Sequence, residues 1–312
     1  MAKINQFISI VAYVHNDADN IINFIRTVML QCDNFKQHEF VFVDDYSMDN
    51  SVNVIKDYFE KNPCDYIVSI IHMGYYQGME IAMNAGRDMA IGDFVYEFDS
   101  LYVDFGDNIM MDVYNKCLEG NDIVSAVTKV PIKLTSRLFY NIFNHTMNSQ
   151  KNIGQDSFRV LSRRGINRII SMDVNIPYRK VIYQNCGLST AFVKYKSTTG
   201  KRPPRLTKKH ERVDLAIDSF IYFTHFFQHF TLASAVGFGL FFLVIFTYAL
   251  ISRSLGYHIG QGWLSVITAL SVGFSGLFGI LTVIIRYLSV IVDLVFKQQK
   301  YRISDIEKIS LK

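Results

Sequence analysis

Along the first hundred residues, apolar runs of strand length alternate with stretches of helical periodicity. FISIVAYV (7–14) is continuously apolar and β-rich, DADNIINFIRTVML (17–30) repeats its apolar positions at helical spacing, and EFVFVDD (39–45) is a second buried strand. The alternation continues with a helix over 50–61, a strand over 65–73, a helix over 78–91 and a strand over 93–100. Strands joined by crossover helices predict an α/β domain with a doubly wound, mostly parallel sheet covered on both faces. Such sheets bind ligands beyond the carboxyl ends of their strands.

The pattern changes in the last third. HFTLASAVGFGLFFLVIFTYALI (229–251) and WLSVITALSVGFSGLFGILTVII (263–285) contain no Asp, Glu, Lys or Arg. A helix rises ~1.5 Å per residue and needs about 20 apolar residues to cross ~30 Å of hydrocarbon, so each run is long enough to span a bilayer. Arg253 is the only fixed charge between them, whereas residues 194–212 hold eight Lys or Arg against Glu211, and Lys297, Lys300 and Arg302 follow the second run. The positive-inside rule then predicts a two-helix transmembrane hairpin, about 229–251 and 263–286, with both flanks cytoplasmic. The expected division is a globular domain over 1–193, a basic linker and interfacial amphipathic helix over 194–228, the two membrane helices within 229–290, and a cytoplasmic tail over 291–312. Gly237, Gly239, Gly273, Gly276 and Gly279 offer small helix surfaces on which a homo-oligomer is expected to pack.

Composition agrees with a membrane-attached globular chain. Of the 312 residues, 50% are hydrophobic and 19% charged, against about 25% charged in an average soluble domain; disorder, collagen and coiled coil are excluded. The net charge of +4 is concentrated in the 194–212 run, so it points to an anionic membrane surface and not to nucleic acid. Cys32, Cys64, Cys117 and Cys186 lie far apart with no C-x-x-C pair, which spells neither a disulfide framework nor a zinc site and fits a reducing compartment.

Two acidic groups stand at predicted strand ends. Asp44, Asp45, Ser47 and Asp49 close the second strand, and Asp99 and Ser100 close the fourth. Carboxylates there bind a base or ribose, hold a divalent ion on a diphosphate, or cap the next helix.

FISIVAYVHND, VDDYSMDNS, MGYYQGMEIAMNAGRDMAIGDFVYEFDS and QDSFRVLSRR together resemble the family 2 glycosyltransferases of the GT-A fold. With the basic linker and hairpin added, the chain resembles their polyprenyl-phosphate branch. The resemblance implies an inverting glycosyltransferase of the inner (plasma) membrane, multi-pass, with catalytic domain and both termini cytoplasmic. It would move one sugar from a nucleotide diphosphate sugar to polyprenyl (undecaprenyl) phosphate. The same fold acting on another lipid acceptor, and a catalytically inactive membrane scaffold, are the alternatives.

Carried over by position, the resemblance assigns the base to Asp44 or Asp45, with Asp17 nearby, and the donor diphosphate to Asp99, flanked by the segment bearing Gly74, Gly78 and Gly86. Arg202 and Arg205 fall where the family has a mobile loop over the donor phosphates. Lys133 and Arg137, four residues apart on one helical face, are assigned to the lipid phosphate, and Asp156 and Arg159 to the reacting sugar. The family's D-x-D binds Mg²⁺ or Mn²⁺, but here the row reads Asp99-Ser100-Leu101-Tyr102-Val103-Asp104. Leu101 and Val103 have no oxygen for a hard cation, leaving Asp99 and Asp104. Three readings stay open: Asp99 and substrate phosphates hold the ion, basic residues replace it, or the donor site has lost its chemistry.

Overall fold

The computed structural model describes residues 3–129, 156–172, 179–199, 263–296 and 301–310, together with isolated positions between 236 and 255. The order is β1 (Ile4–Val14), α1 (Ala18–Cys32), β2 (Phe35–Asp44), α2 (Ser51–Lys61), β3 (Ile67–Met73), α3 (Met79–Met89), β4 (Phe94–Phe98), α4 (Ile109–Leu118) and β5 (Ile123–Thr128). Then come β6 (Phe158–Ser162), α5 (Arg163–Ser171), α6 (Arg179–Asn185), β7 (Thr190–Tyr195), α7 (Trp263–Phe296) and β8 (Ile303–Ser310). Every strand and helix predicted up to residue 100 is present within a few residues of its expected limits. In α1, Ile21, Phe24, Ile25 and Val28 are buried at helical spacing, which is the stripe that docks the helix on the sheet.

Eight strands form one sheet in the order β7-β5-β6-β4-β1-β2-β3-β8. The centre is parallel: β1 lies between β2 and β4, and β2 pairs with β3. Alternate residues feed two cores. Ile10, Ala12, Phe40, Phe42, Tyr96 and Phe98 face α1, α2 and α4, whereas Val11, Tyr13, Val41, Val43 and Val95 face the layer that contains α3. Gly86 permits that second layer, because a Cβ there would lie 2.4 Å from Val11 Cγ1 and 2.6 Å from Val43 Cγ2.

Two features depart from the expected parallel sheet. β6 is antiparallel to both β4 and β5, and β8 is antiparallel to β3. The second lies in the tail expected over 291–312: its residues 303–310 are the edge strand of the sheet. Alternating Ile and charged residues in ISDIEKIS suit an edge strand with one face covered, but nothing local tells such a short segment which sheet to join. Lys194 and Tyr195, expected in the linker, pair with Val127 and Thr128 as the end of β7.

The chain divides into two compact units, residues 1–215 with 299–312, and residues 216–298. In the second, α7 runs ten residues past the expected limit of 286. Its segment Val272–Ile291 has a mean hydropathy of 1.9 and is long and apolar enough to cross a membrane by length and composition. The first expected span, 229–251, lies for the most part outside the described residues, as does most of the basic linker.

Candidate active site

At the carboxyl ends of β1 and β2, the loops 15–18 and 45–51 are stitched into one surface. The Asn16 side-chain oxygen accepts from the amides of Met48 and Asp49 at 2.8 and 3.2 Å, and the Asn16 amide donates to Ser47 Oγ at 3.1 Å. Asp49 accepts from the first amide of each of two helices, Ser51 N of α2 at 3.0 Å and Ala18 N of α1 at 3.3 Å. Asn16 and Tyr46 hold φ of 49° and 59°, the left-handed region that non-glycine residues occupy when surroundings over-determine it, commonly at functional sites.

The adjacent acids Asp44 and Asp45 do different work. Asp45 is fully buried; its carboxylate accepts from the amides of Gln77 and Gly78, each at 2.8 Å, and from the Tyr13 hydroxyl at 3.0 Å. It thereby holds the β3–α3 loop and occupies the amino terminus of α3, where a helix favours an anion. Gly78, at φ +88°, makes the turn into that helix. Burial pushes the Asp45 carboxyl up, opposed by these donors. Asp44 accepts from Ser47 N at 3.0 Å and faces His72 Nδ1 at 3.3 Å. Asp17 accepts from Asn20 at 2.5 Å, and burial raises its pKa.

β8 completes this side. Its Glu307 faces His72 Nε2 at 3.4 Å and Lys56 Nζ at 2.7 Å, so His72 bridges β8 to Asp44. The hydrogen bond to Asp44 is the main reason the His72 pKa is raised, against desolvation. One residue before β8, Arg302 exchanges two hydrogen bonds with the Gln77 side chain, at 2.7 and 2.9 Å, and accepts from Gly74 N at 3.0 Å. The loop 74–78 is thus held from one side by Asp45 and from the other by the chain that leaves α7.

Beyond β4 lies a second constellation, built of ion pairs. Glu97 of β4 and Arg159 of β6 are register partners, and Arg159 distributes its guanidinium over Asp156 at 2.8 Å, Glu97 at 3.0 Å and Asp99 at 2.5 Å. Arg179, the first residue of α6, reaches Glu80 at 2.9 Å, Glu97 at 2.9 Å and Asp99 at 2.7 Å. The two arginine side chains are 1% and 0% exposed. Lys180 pairs with Asp156, and the Tyr183 hydroxyl donates to Glu97 at 2.7 Å. Burial alone would raise the Asp99 carboxyl, but Arg159 and Arg179 overcome it and hold it well below the carboxylate range. Asp156 is lowered in the same way, burial being outweighed by Arg159 and then Lys180.

The expected metal ligands do not assemble. Asp99 has both oxygens on guanidinium groups. Leu101, two residues on, is fully buried in the apolar core, and Val103 packs against that core. Asp104 is buried and accepts from the Tyr195 hydroxyl at 2.5 Å. Among the described residues, no group of three or more His, Cys, Asp or Glu is placed to hold a metal. The residues present do not fit a D-x-D-bound divalent ion, because the apolar chemistry at 101 and 103 belongs to the core, both Asp99 oxygens lie on guanidinium groups and one Asp104 oxygen is taken by Tyr195.

The structure therefore brings Asp99, Asp156 and Arg159 together, and separately Asp17, Asp44 and Asp45. Lys133, Arg137, Arg202 and Arg205 lie outside the described residues. Sequence reasoning missed Arg179, Lys180, Glu80, Glu97 and His72. Glu97 carried a signal, a carboxylate inside the apolar run of β4; Arg179 carried none.

Residues 9–105 match the family model of Glycosyl transferase family 2, a span that runs from β1 past Asp104. An uncharacterized glycosyltransferase of Synechocystis sp. is 24% identical over 193 residues, 60% of this chain and 59% of that protein. An undecaprenyl-phosphate 4-deoxy-4-formamido-L-arabinose transferase of Pseudomonas fluorescens is 33% identical over 97 residues, 30% of this chain and 28% of that one. The chain thus spans less than two thirds of the length of these relatives. Among solved structures, a mannosyltransferase of Pyrobaculum calidifontis in complex with GDP-Man and Mn²⁺ shares the fold, with a TM-score of 0.53, 14% identity and coverage of 95% of this chain and 89% of that one. Residues 9–105, which supply the loops of the strand-end surface and the aspartate at the end of β4, are accordingly the part of the chain that is similar to Glycosyl transferase family 2.

Proposed function

We propose that the protein is a membrane-anchored glycosyltransferase that moves one sugar, with inversion, from a nucleotide diphosphate sugar to polyprenyl (undecaprenyl) phosphate. The observation that carries this reading is the coincidence of the family 2 match over 9–105 with the strand-end surface on the Asp17, Asp44 and Asp45 side. A doubly wound sheet places its ligand there. The lipid acceptor rests on the undecaprenyl-phosphate transferase among the relatives.

In the proposed reaction an oxygen of the lipid phosphate attacks the anomeric carbon as the bond from that carbon to the β-phosphate oxygen breaks. The electron pair leaves with the nucleoside diphosphate. The attacking oxygen is already anionic, so the demand on the protein is placement more than proton removal. Asp44 or Asp17 would meet the nucleoside, Asp45 would shape the loop beside it, and Asp156, held by Arg159 and Lys180, would border the sugar. Lys133 and Arg137 would seat the acceptor phosphate, and Arg202 and Arg205 would face the donor phosphates.

The hairpin anchor draws support from chain connectivity. Residues 216–298 leave from and return to the unit that contains the sheet, since β8 is one of its strands. If Val272–Ile291 crosses a bilayer, the chain must cross an even number of times, and the uncharged run 229–251 supplies the partner crossing. A cytoplasmic catalytic domain, both termini on that side and self-association through the glycine-bearing helices complete the proposal.

The test is transfer from a panel of UDP- and GDP-sugars to undecaprenyl phosphate by the purified full-length protein, with the lipid product read by mass spectrometry. A lipid phosphosugar from at least one donor is expected. Absence of product together with absence of nucleotide binding would replace the enzyme by a membrane scaffold of the same fold.

A further inference from the structure

The cluster around Asp99 has no counterpart in the chemistry expected of a D-x-D site. Each of the two oxygens that would meet an ion meets a guanidinium nitrogen instead, Oδ2 that of Arg159 at 2.5 Å and Oδ1 that of Arg179 at 2.7 Å. Neither arginine is free to move aside. Arg159 is tied to Glu97 and Asp156, Arg179 to Glu97 and Glu80, and both side chains are buried.

We infer that this protein binds its donor diphosphate without a divalent cation, the buried Arg159–Asp99–Arg179 bridge standing where a metal would otherwise be held. The inference rests on the donor reading proposed above and adds to it which cation is absent and what replaces it.

Three physical arguments carry it. The first is charge: Arg159, Arg179 and Lys180 face Glu80, Glu97, Asp99 and Asp156, so three cations offset all but one of the four negative charges that would attract a dication. A divalent ion entering there would sit beside two guanidinium groups in a region of low dielectric, where like charges repel strongly. The second is coordination: a hard dication such as Mn²⁺ or Mg²⁺ takes about six oxygens, and Leu101 and Val103 turn the next positions along the chain into core. The third is that Asp104, the remaining acid of the segment, gives one carboxylate oxygen to the Tyr195 hydroxyl and its carbonyl to Thr198 N at 2.9 Å, which ties it to the end of β7 and the chain that follows. The bridge is assigned no contact with the diphosphate, because every nitrogen of both guanidinium groups already donates to a carboxylate. It fixes Asp156 and α6, and Lys180, with a side chain 14% exposed, is the cation of this cluster that reaches the surface.

The test uses the full-length protein in detergent and two readouts. Mn²⁺ is titrated against the protein alone and followed by electron paramagnetic resonance; the six-line spectrum of the aqueous ion is expected to persist undiminished. UDP and GDP are titrated calorimetrically in EDTA and again in Mn²⁺, and the dissociation constant of the nucleotide that binds is expected to agree within about twofold between the two conditions. Loss of the aqueous Mn²⁺ signal that Asp99→Asn restores, or tightening of nucleotide by about tenfold or more in Mn²⁺, would overturn the inference. Were neither nucleotide to bind under any condition, the donor reading would fall, and with it the inference that rests on it; binding that requires Mn²⁺ removes the inference and leaves the donor reading standing.

Discussion

The two acid-rich regions of the sheet differ in what neutralises their carboxylates. On the β1–β2 side, Asp45 and Asp49 are held by backbone amides and hydroxyls, and Asp44 by an amide and His72. On the β4–β6 side, Asp99, Asp156, Glu80 and Glu97 are held by Arg159, Arg179 and Lys180. An amide-bound carboxylate shapes a loop and leaves the surroundings open to a ligand. A guanidinium-bound carboxylate in a buried cluster is part of a rigid network whose members depend on one another. The contrast teaches that similar strand-end aspartates serve two ends, one a formed surface and the other an internal brace.

Deleting a charge from the brace should have the largest effect. Arg159→Met or Arg179→Met strands several buried carboxylates and is expected to cost about 3–5 kcal/mol, read as a fall in thermal unfolding midpoint; a shift no larger than that of a surface control would show that the cluster is not rigidly buried. Leu101→Ala should cost about 2–5 kcal/mol because it opens a cavity in the packed core. Leu101→Asp, which the D-x-D pattern suggests as a way to restore a metal ligand, should destabilise the fold and confer no Mn²⁺ binding, since it buries a charge among Phe98, Phe105 and their neighbours.

On the other side, Asp45→Ala removes the acceptor of two amides and a tyrosine hydroxyl and should cost about 1–3 kcal/mol. Its distinguishing effect is on the 74–78 loop, so amide exchange at Gln77 and Gly78 should accelerate more than at Arg159. Acid should separate four of these aspartates by sign. Asp99 and Asp156 lie below their ordinary 3.8 in the fold, so their contribution is present above that value and is lost as pH falls through the folded pKa. Asp17 and Asp45 lie above 3.8, so the folded state takes up their protons first and acid favours it there. Carboxyl carbon NMR across pH 6 to about 2 would read both directions, and titration of all four together would remove the distinction.

The smallest effect concerns the link from β8 to Asp44. The His72 pKa is raised above 6.5 in the fold, so its stabilisation is fully present below that pH and is lost as pH rises through the folded value. His72 and Glu307 are partly exposed, so the change is expected to be about 1 kcal/mol or less. It would appear as a slightly lower unfolding midpoint at pH 8 than at pH 6, absent in His72→Gln.

Much of this molecule is set by local pattern. The runs 7–14, 39–45 and 65–73, the helical stripe of α1 and the two uncharged stretches after residue 228 are short-range facts of hydrophobic periodicity. They sufficed for the parallel centre of the sheet and for the aspartates at its strand ends. What periodicity does not encode is pairing between distant segments. That 303–310 returns as an edge strand beside β3, that Arg179 meets an aspartate eighty residues earlier, and that Leu101 is core were all decided by tertiary packing. The physical reason is the same in each case: a lone Arg, Leu or Ile-rich octapeptide is compatible with many neighbours, and only burial, which makes an unpaired charge or an unfilled space costly, selects one.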